Sequence, residues 1–126
     1  MQHVLTITET KITDNTLILT PIEQWPEQEW KQLNDGMRML ADSDALTFVY
    51  VLDSPEAFVQ LRLPKRTWAA LREAYEHEYK VVADGPSPIT LEHFQQEMEY
   101  LLDNIPGNGN YGSEMVNAVE KAFHIQ

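Results

Sequence analysis

The clearest indication of the fold comes from two segments, LTFVYVL at residues 46–52 and FVQLRL at residues 58–63. The first is almost entirely apolar, β-branched or aromatic, which is typical of a central strand covered on both faces. In the second, apolar residues alternate with Gln60 and Arg62, which indicates a strand with one buried face and one solvent-exposed face. Residues 46–63 therefore predict a β-hairpin.

On the N-terminal side of this hairpin, the pattern predicts another hairpin and then a helix. Residues 3–10 and 16–20 alternate in hydrophobicity around an Asp14-Asn15 turn, which predicts two paired strands. A helix is predicted after Pro26, with an interruption at Gly36, because apolar residues recur there at helical spacing: Trp30, Leu33, Met37 and Leu40.

On the C-terminal side, a helix capped by Thr67 is predicted to precede a short hairpin over residues 80–83 and 89–91. Two more helices follow, over residues 94–105 and from a cap at Ser113 to Phe123. The predicted fold class is α+β: an antiparallel sheet of about five or six strands, made of hairpin–helix units, with helices packed on one side and a helix at the C-terminus. Residues 1–126 are predicted to form a single domain.

Composition narrows the classes of function. The chain contains no Cys, which excludes disulfide frameworks and thiolate chemistry and favours a cytoplasmic location. No apolar stretch approaches the length of a membrane span, so no membrane association is predicted. Nine Lys and Arg against 20 Asp and Glu give a net charge of −11, which disfavours direct binding of nucleic acid because the protein repels phosphate backbones.

The cations cluster once, and this cluster is a candidate interaction site. Residues 61–72 contain no acid, and they hold Arg62, Lys65, Arg66 and Arg72 around the aromatic Trp68. Cations at the positive end of a helix are unfavourable, and an acidic partner anchored on the tryptophan would offset that cost. The alternative is that these are ordinary solvated residues around a helix start.

A glycine-rich loop is a candidate anion site. The sequence GNGNYGS at residues 107–113 leads into a helix, whose first amides can bind phosphate through Gly107, Gly109, Gly112 and Ser113. The specific nucleotide-binding motifs are absent. The alternative is a plain connection that needs a positive φ at Gly107 and Gly109.

Other constellations are weaker. The acidic set Asp35, Asp42 and Asp44 offers oxygen ligands for a hard cation but lacks the calcium-loop spacing, so a turn is the favoured role. The pair His93 and Glu97 shares a helix face but supplies too few ligands for zinc, which favours an exposed ion pair. No nucleophile motif is present. We therefore predict no catalytic residue, no metal site and no cofactor.

Residues 42–52 and 104–115 resemble a small uncharacterised protein family of bacilli. The likeness runs from about residue 37 to residue 123, whereas residues 22–36 look like a variable insertion. The resemblance implies a cytosolic bacterial protein that acts with or on another protein, and it transfers no site residue.

These observations favour a non-catalytic protein-interaction or regulatory module. Trp25, Trp30 and Trp68 are candidate anchors for a partner, and the alternative is that they are buried in the core. The first alternative is a binder of small anionic ligands, or a minor enzyme, that uses residues 107–113. The second is an acidic mimic of nucleic acid. A homodimer through the first strand or the last helix is compatible with each of them.

Overall fold

The computed structural model of the protein describes residues 3–125. Within them the strands are β1 (Val4–Thr13), β2 (Thr16–Pro21), β3 (Asn34–Asp42), β4 (Thr47–Asp53), β5 (Phe58–Pro64), β6 (Lys80–Ala83) and β7 (Ile89–Thr90). The α-helices are α1 (Glu27–Trp30), α2 (Trp68–Glu76), α3 (Phe94–Asn104) and α4 (Ser113–Ala122), and 3-10 turns cover Lys65–Thr67 and Gly109–Tyr111. None of these helices combines the length and the apolar character that a membrane crossing requires. The predicted α+β class is confirmed.

The seven strands form one mixed sheet in the order β3-β4-β5-β1-β2-β6-β7. Neighbouring strands are antiparallel except that β1 runs parallel to β5 and β2 runs parallel to β6. The prediction of a purely antiparallel sheet with fewer strands is therefore wrong. Each predicted hairpin forms, but the hairpins join to one another through parallel contacts, which alternation of hydrophobicity along a strand does not reveal.

Strand β1 pairs with its two neighbours over different parts of its length. Its first residues, 4–6, pair with β5, and residues 7–13 pair with β2. Within the pairing with β2, the register shifts between Ile7 and Glu9. Such a bulge increases local twist and curls the sheet.

The central hairpin is confirmed and divides its side chains between two faces. Strand β4 pairs with β5 from Thr47↔Pro64 to Asp53↔Phe58. The even-numbered residues of β4, from Phe48 to Leu52, enter the core together with the buried residues of α2, α3 and α4. The intervening residues of β4 point to the opposite face, which we call the outer face.

The helix predicted between Pro26 and Leu40 is wrong beyond Trp30. The chain leaves α1 there, and residues 34–42 form β3 at the edge of the sheet, paired with β4. Of the predicted apolar stripe, Trp30 and Leu33 are buried, whereas Met37 and Leu40 are exposed. The apparent helical spacing therefore combined residues from two different elements.

The local cause of this change is the bulge at Gly36. The register between β3 and β4 shifts between Asp35 and Arg38, and Gly36 lies against the backbone carbonyl of Val51. The carboxylate of Asp35 accepts a hydrogen bond from the amide of Met37 at 2.7 Å, and Met37 takes a left-handed φ of 58°. This arrangement is a strand bulge, and the glycine fits because it has no Cβ.

Of the two predicted helix caps, one is correct in position only and the other is wrong. Thr67 occupies the cap position of α2, but its hydroxyl donates to the carbonyl of Pro64 at 2.7 Å and makes no cap hydrogen bond. Ser113 is the first residue of α4, and Gly112 occupies the cap position with a φ of 87°. The three tryptophans Trp25, Trp30 and Trp68 are all buried in the core, which was the alternative to their use as anchors.

Candidate interaction face

The outer face of β3, β4 and β5 carries a shallow groove of about 530 Å³. Strand register sets Arg38, Val51 and Gln60 in one row across the three strands, and Leu40, Val49 and Arg62 in the next. Phe58 borders the groove at one end, and Asp42 and Asp44 border it at the other. We refer to this surface as the outer-face groove.

The centre of the outer-face groove is apolar. Val49 and Val51 are only 6% and 5% exposed although they point away from the core. Leu40 and Phe58 beside them are 48% and 64% exposed. Large apolar side chains that stand in solvent next to an apolar floor are typical of interaction sites rather than of ordinary surface.

The two ends of the outer-face groove carry opposite charges. The guanidinium of Arg38 lies 5.7 Å from the ring centroid of Phe58 as a cation–π contact. Within residues 3–125, neither Arg38 nor Asp44 forms an ion pair. Between them, Arg62 donates to Asp42 at 2.7 Å and to Gln60 at 2.8 Å, so this arginine is already neutralised.

The pair between Arg62 and Asp42 predicts a pH dependence of stability. The hydrogen bond from Arg62 is the main cause that lowers the pKa of the Asp42 carboxyl below its ordinary value. A lowered pKa in the folded protein contributes stability above the ordinary pKa, and this contribution is lost as the pH falls through the lowered value. Arg62→Met keeps the aliphatic stem and should lower the free energy of unfolding at neutral pH by up to about 1 kcal/mol, because the pair is partly exposed.

Urea titrations of the wild type and Arg62→Met at a series of pH values measure this effect. The difference between them should shrink as the pH falls below the ordinary pKa of Asp and vanish once Asp42 is protonated in the folded protein. Arg66→Met, which removes an exposed cation without an ion-pair partner among residues 3–125, should show no such convergence. A difference that stays constant across the acid range would contradict the role of Asp42.

The structure separates the predicted basic cluster. Arg62 lies in the outer-face groove, whereas Lys65 and Arg66 are exposed on the 3-10 turn that follows β5. Arg72 turns to the C-terminal end of α4, where its guanidinium lies 2.8 Å from the ring nitrogen Nε2 of His124. Arg62 and Arg72 therefore have partners within the protein, whereas Lys65 and Arg66 stand in solvent.

Trp68 cannot act as the exposed anchor of that cluster. Its side chain is fully buried, and its ring stacks on Phe48 with centroids 4.6 Å apart. The indole N–H donates to the carbonyl of Leu63 at 3.0 Å. Because both the ring and its polar group are satisfied inside the protein, this residue is part of the core.

The glycine-rich loop connects α3 to α4 and borders a cavity of about 490 Å³. Gly107 and Gly112 take positive φ angles but Gly109 does not, so the expectation for Gly109 is wrong. The amide of Gly107 already donates to a carboxylate oxygen of Glu120 at 3.0 Å. The carboxylates of Asp44 and Glu114 line the cavity together with Gly112 and Ser113. Their negative charge disfavours a bound phosphate.

The predicted acidic set is dispersed. Asp42 pairs with Arg62, Asp44 lies in the turn after β3, and Asp35 lies under α3. Among residues 3–125, no three side chains of His, Cys, Asp and Glu converge as metal ligands.

A partly buried polar network around Asp35 was not visible in the sequence. The hydroxyl of Tyr50 donates to Asp35 at 2.6 Å, and the amide of Glu92 donates to its other oxygen at 2.9 Å. Burial raises the pKa of the Tyr50 hydroxyl, and the hydrogen bond to the Asp35 carboxylate raises it further. His93 lies 3.7 Å from Asp35, so it faces this carboxylate and not Glu97 as predicted. The network fastens β3 to β4 and to the start of α3.

A separate contact from α3 covers part of the edge of the sheet. Among residues 3–125, β3 pairs with β4 alone, and the amide of Met39 donates to the carboxylate of Glu97 at 2.8 Å instead of to another strand. A side chain that occupies an edge amide in this way opposes the addition of a further strand. The exposed feature of this part of the protein is therefore the outer face and not the edge.

These features define a small α+β protein with a curled, mixed sheet and an apolar groove on the sheet face that the core does not use. The chain belongs to UPF0738, a family of unknown function whose model matches residues 5–123. It is similar to the UPF0738 protein of Halalkalibacterium halodurans, with 44% identity over 94% of this chain and 95% of the relative. It is 40% identical to the UPF0738 protein of Bacillus cytotoxicus and 36% identical to that of Bacillus cereus strain G9842, in both cases over 98% of this chain and 99% of the relative.

No solved structure matches the chain. The predicted resemblance to a family of bacilli is confirmed, and the family match is wider than the range 37–123. It includes residues 22–36, which contribute Trp25, Trp30 and Leu33 to the core. This segment is therefore an integral part of the fold.

Proposed function

We propose that the protein is a non-catalytic protein-binding module and that the outer-face groove is its binding surface. The observation that carries the proposal is the exposure of Leu40 and Phe58 over the apolar floor of Val49 and Val51. Leaving these side chains in water is unfavourable, and a protein partner that covers them would remove this cost.

The groove defines the chemistry that a partner needs. An apolar centre surrounded by polar groups is the usual anatomy of a protein interface. The partner should bring an apolar patch for Leu40, a carboxylate for Arg38 and a basic group for Asp44. The partner is expected in the cytoplasm, the location predicted from the cysteine-free sequence. The net charge of −11 supports a protein partner over nucleic acid.

Photo-crosslinking inside the native bacterium tests this proposal. A benzophenone amino acid is placed at Phe58 and, as a matched control, at Tyr100, which is an equally exposed aromatic residue on α3 outside the groove. Irradiation should give a discrete covalent protein adduct from position 58 and none from position 100. Arg38→Glu in the same background should reduce the adduct at least about fivefold, because a carboxylate on the partner would then face a like charge.

The same adduct pattern from both positions, or an adduct that is insensitive to Arg38→Glu, would contradict the proposal. Circular dichroism of each purified variant establishes that the protein is folded.

A further inference from the structure

We infer that the partner of the outer-face groove is a second copy of the same chain, bound as a symmetric dimer. This inference rests on the proposed function, because it uses the same surface. A two-fold interface requires a patch that is complementary to itself. The outer-face groove meets this condition, since it has an unpaired cation at one end, an unpaired carboxylate at the other and apolar side chains between them.

The direction of the two-fold axis follows from the positions of the charges. Arg38 lies two residues before Leu40 in β3, and Asp42 lies two residues after it. We place the two outer faces against each other, with the two-fold axis between them, perpendicular to the strands and at the level of Leu40. Strand β3 of one copy then lies over β3 of the other copy, and the two strands run in opposite directions. Each Arg38 then faces the Asp42–Asp44 end of the other copy.

Asp44 is the acceptor that this arrangement offers to Arg38. The carboxylate of Asp42 is already paired with Arg62, whereas Asp44 is exposed and makes no ion pair within residues 3–125. Each residue of the row Leu40, Val49 and Arg62 then faces its own equivalent. Leu40 and Val49 therefore meet apolar side chains, while Arg62, whose charge Asp42 balances within each chain, meets Arg62.

A two-fold axis that runs along β4 does not fit. An axis along the strands would exchange β3 with β5 and keep each row of the groove opposite itself. Arg38 would then face the neutral Gln60 and would gain no carboxylate partner. Of these two axes, only the one that runs across the strands brings Arg38 to a carboxylate.

The net charge of the chain sets the conditions for association. Two chains of charge −11 repel each other, and the Debye length of about 30 Å at about 0.01 M salt lets this repulsion act over the whole molecule. At about 0.15 M salt the Debye length is about 8 Å, so the distant charges are screened while the contacts between Arg38 and Asp44 remain. The dimer should therefore be tighter at the higher of these salt concentrations.

Sedimentation equilibrium of the full chain with reversed charges tests the inference. At physiological ionic strength the wild type should dimerise, and Arg38→Glu and Asp44→Arg should each weaken the dimer at least about tenfold, because the two-fold axis repeats every unfavourable contact. The double variant Arg38→Glu/Asp44→Arg restores opposite charges across the interface and should recover an affinity within about threefold of the wild type.

The controls reverse the same charges elsewhere. Lys11→Glu and Glu9→Arg alter exposed residues of β1 outside the groove and change the net charge by the same amounts as the two test variants. Their effect on the dimer should be less than about threefold, as only screened, distant charges change.

A wild type that stays monomeric at both salt concentrations overturns the inference, and so does a double variant that stays as weak as the single ones. If the wild type is monomeric while the crosslinker at Phe58 captures a different protein, the dimer is rejected and the proposed function stands. If the chain is monomeric and position 58 gives no adduct, both are rejected.

Discussion

Replacing Trp68 by alanine is expected to lower the free energy of unfolding by about 3–5 kcal/mol, measured by urea denaturation at neutral pH. The side chain is fully buried, stacks on Phe48 at 4.6 Å and contacts Phe123 with ring centroids 6.1 Å apart. Its removal leaves a large cavity and takes away the hydrogen bond from the indole N–H to the carbonyl of Leu63. Because domains have about 5–15 kcal/mol of stability in total, the loss should remove a large fraction of the stability of this protein.

Two further substitutions test whether the loss of stability comes from the buried ring of Trp68. Trp68→Phe keeps an aromatic ring against Phe48 but loses the hydrogen bond to Leu63, so it should cost less than Trp68→Ala. Arg66→Ala changes an exposed residue two positions earlier and should stay within about 0.5 kcal/mol of the wild type. A loss below about 1 kcal/mol for Trp68→Ala would show that the ring does not hold the core together.

Gly36→Ala is expected to lower the free energy of unfolding by about 2–3 kcal/mol, measured in the same way. A Cβ at this position would overlap the carbonyl oxygen of Val51 and lie 2.9 Å from its carbonyl carbon. The obstacle is backbone in the middle of β4, so it cannot rotate away as a side chain could. The bulge of β3 would have to open, which would also disturb the outer-face groove.

Gly109→Ala is the matched control for Gly36→Ala. A Cβ at Gly109 meets no atom within 4 Å, and this glycine has no positive φ. The substitution should leave stability within about 0.5 kcal/mol of the wild type. Equal losses from the two substitutions would mean that loss of glycine itself, and not the contact with β4, sets the cost.

Local patterns were sufficient to predict an element where the whole pattern lay within that element. Strands β4 and β5 could be predicted because a continuous apolar run and a strict alternation leave few other structures. The N-terminal hairpin could be predicted because Asp14 and Asn15 tolerate the positive φ angles that they adopt in its turn. The helices α3 and α4 were equally clear, since their apolar faces run over three turns without a break.

Prediction from local patterns failed where apolar residues of two neighbouring elements together matched the spacing of one helix. Trp30 and Leu33 belong to the region around α1, whereas Met37 and Leu40 belong to β3, yet their spacing fits a single helix. The deciding contact is Gly36 against Val51, between residues distant in the sequence. A single sequence carries no record of that contact.

The candidate site shows the same division. The sequence marked Arg62 and Asp42, but for different reasons, and placed Arg62 with Trp68. In the folded protein Arg62 pairs with Asp42 across the outer face, while Trp68 points into the core. Arg38, Leu40 and Phe58 had no distinguishing motif, because exposure above an apolar floor is a property of three strands together.

The α+β class, the three hairpins, the acidic charge and the lack of thiol chemistry could all be read from composition or from the periodicity of short segments. The parallel pairing of β1 with β5 and of β2 with β6, the bulged edge strand β3 and the outer-face groove became visible only in the folded protein. Backbone pairing and burial depend on which segments meet in space, and residues far apart in the chain meet only after the sheet has closed.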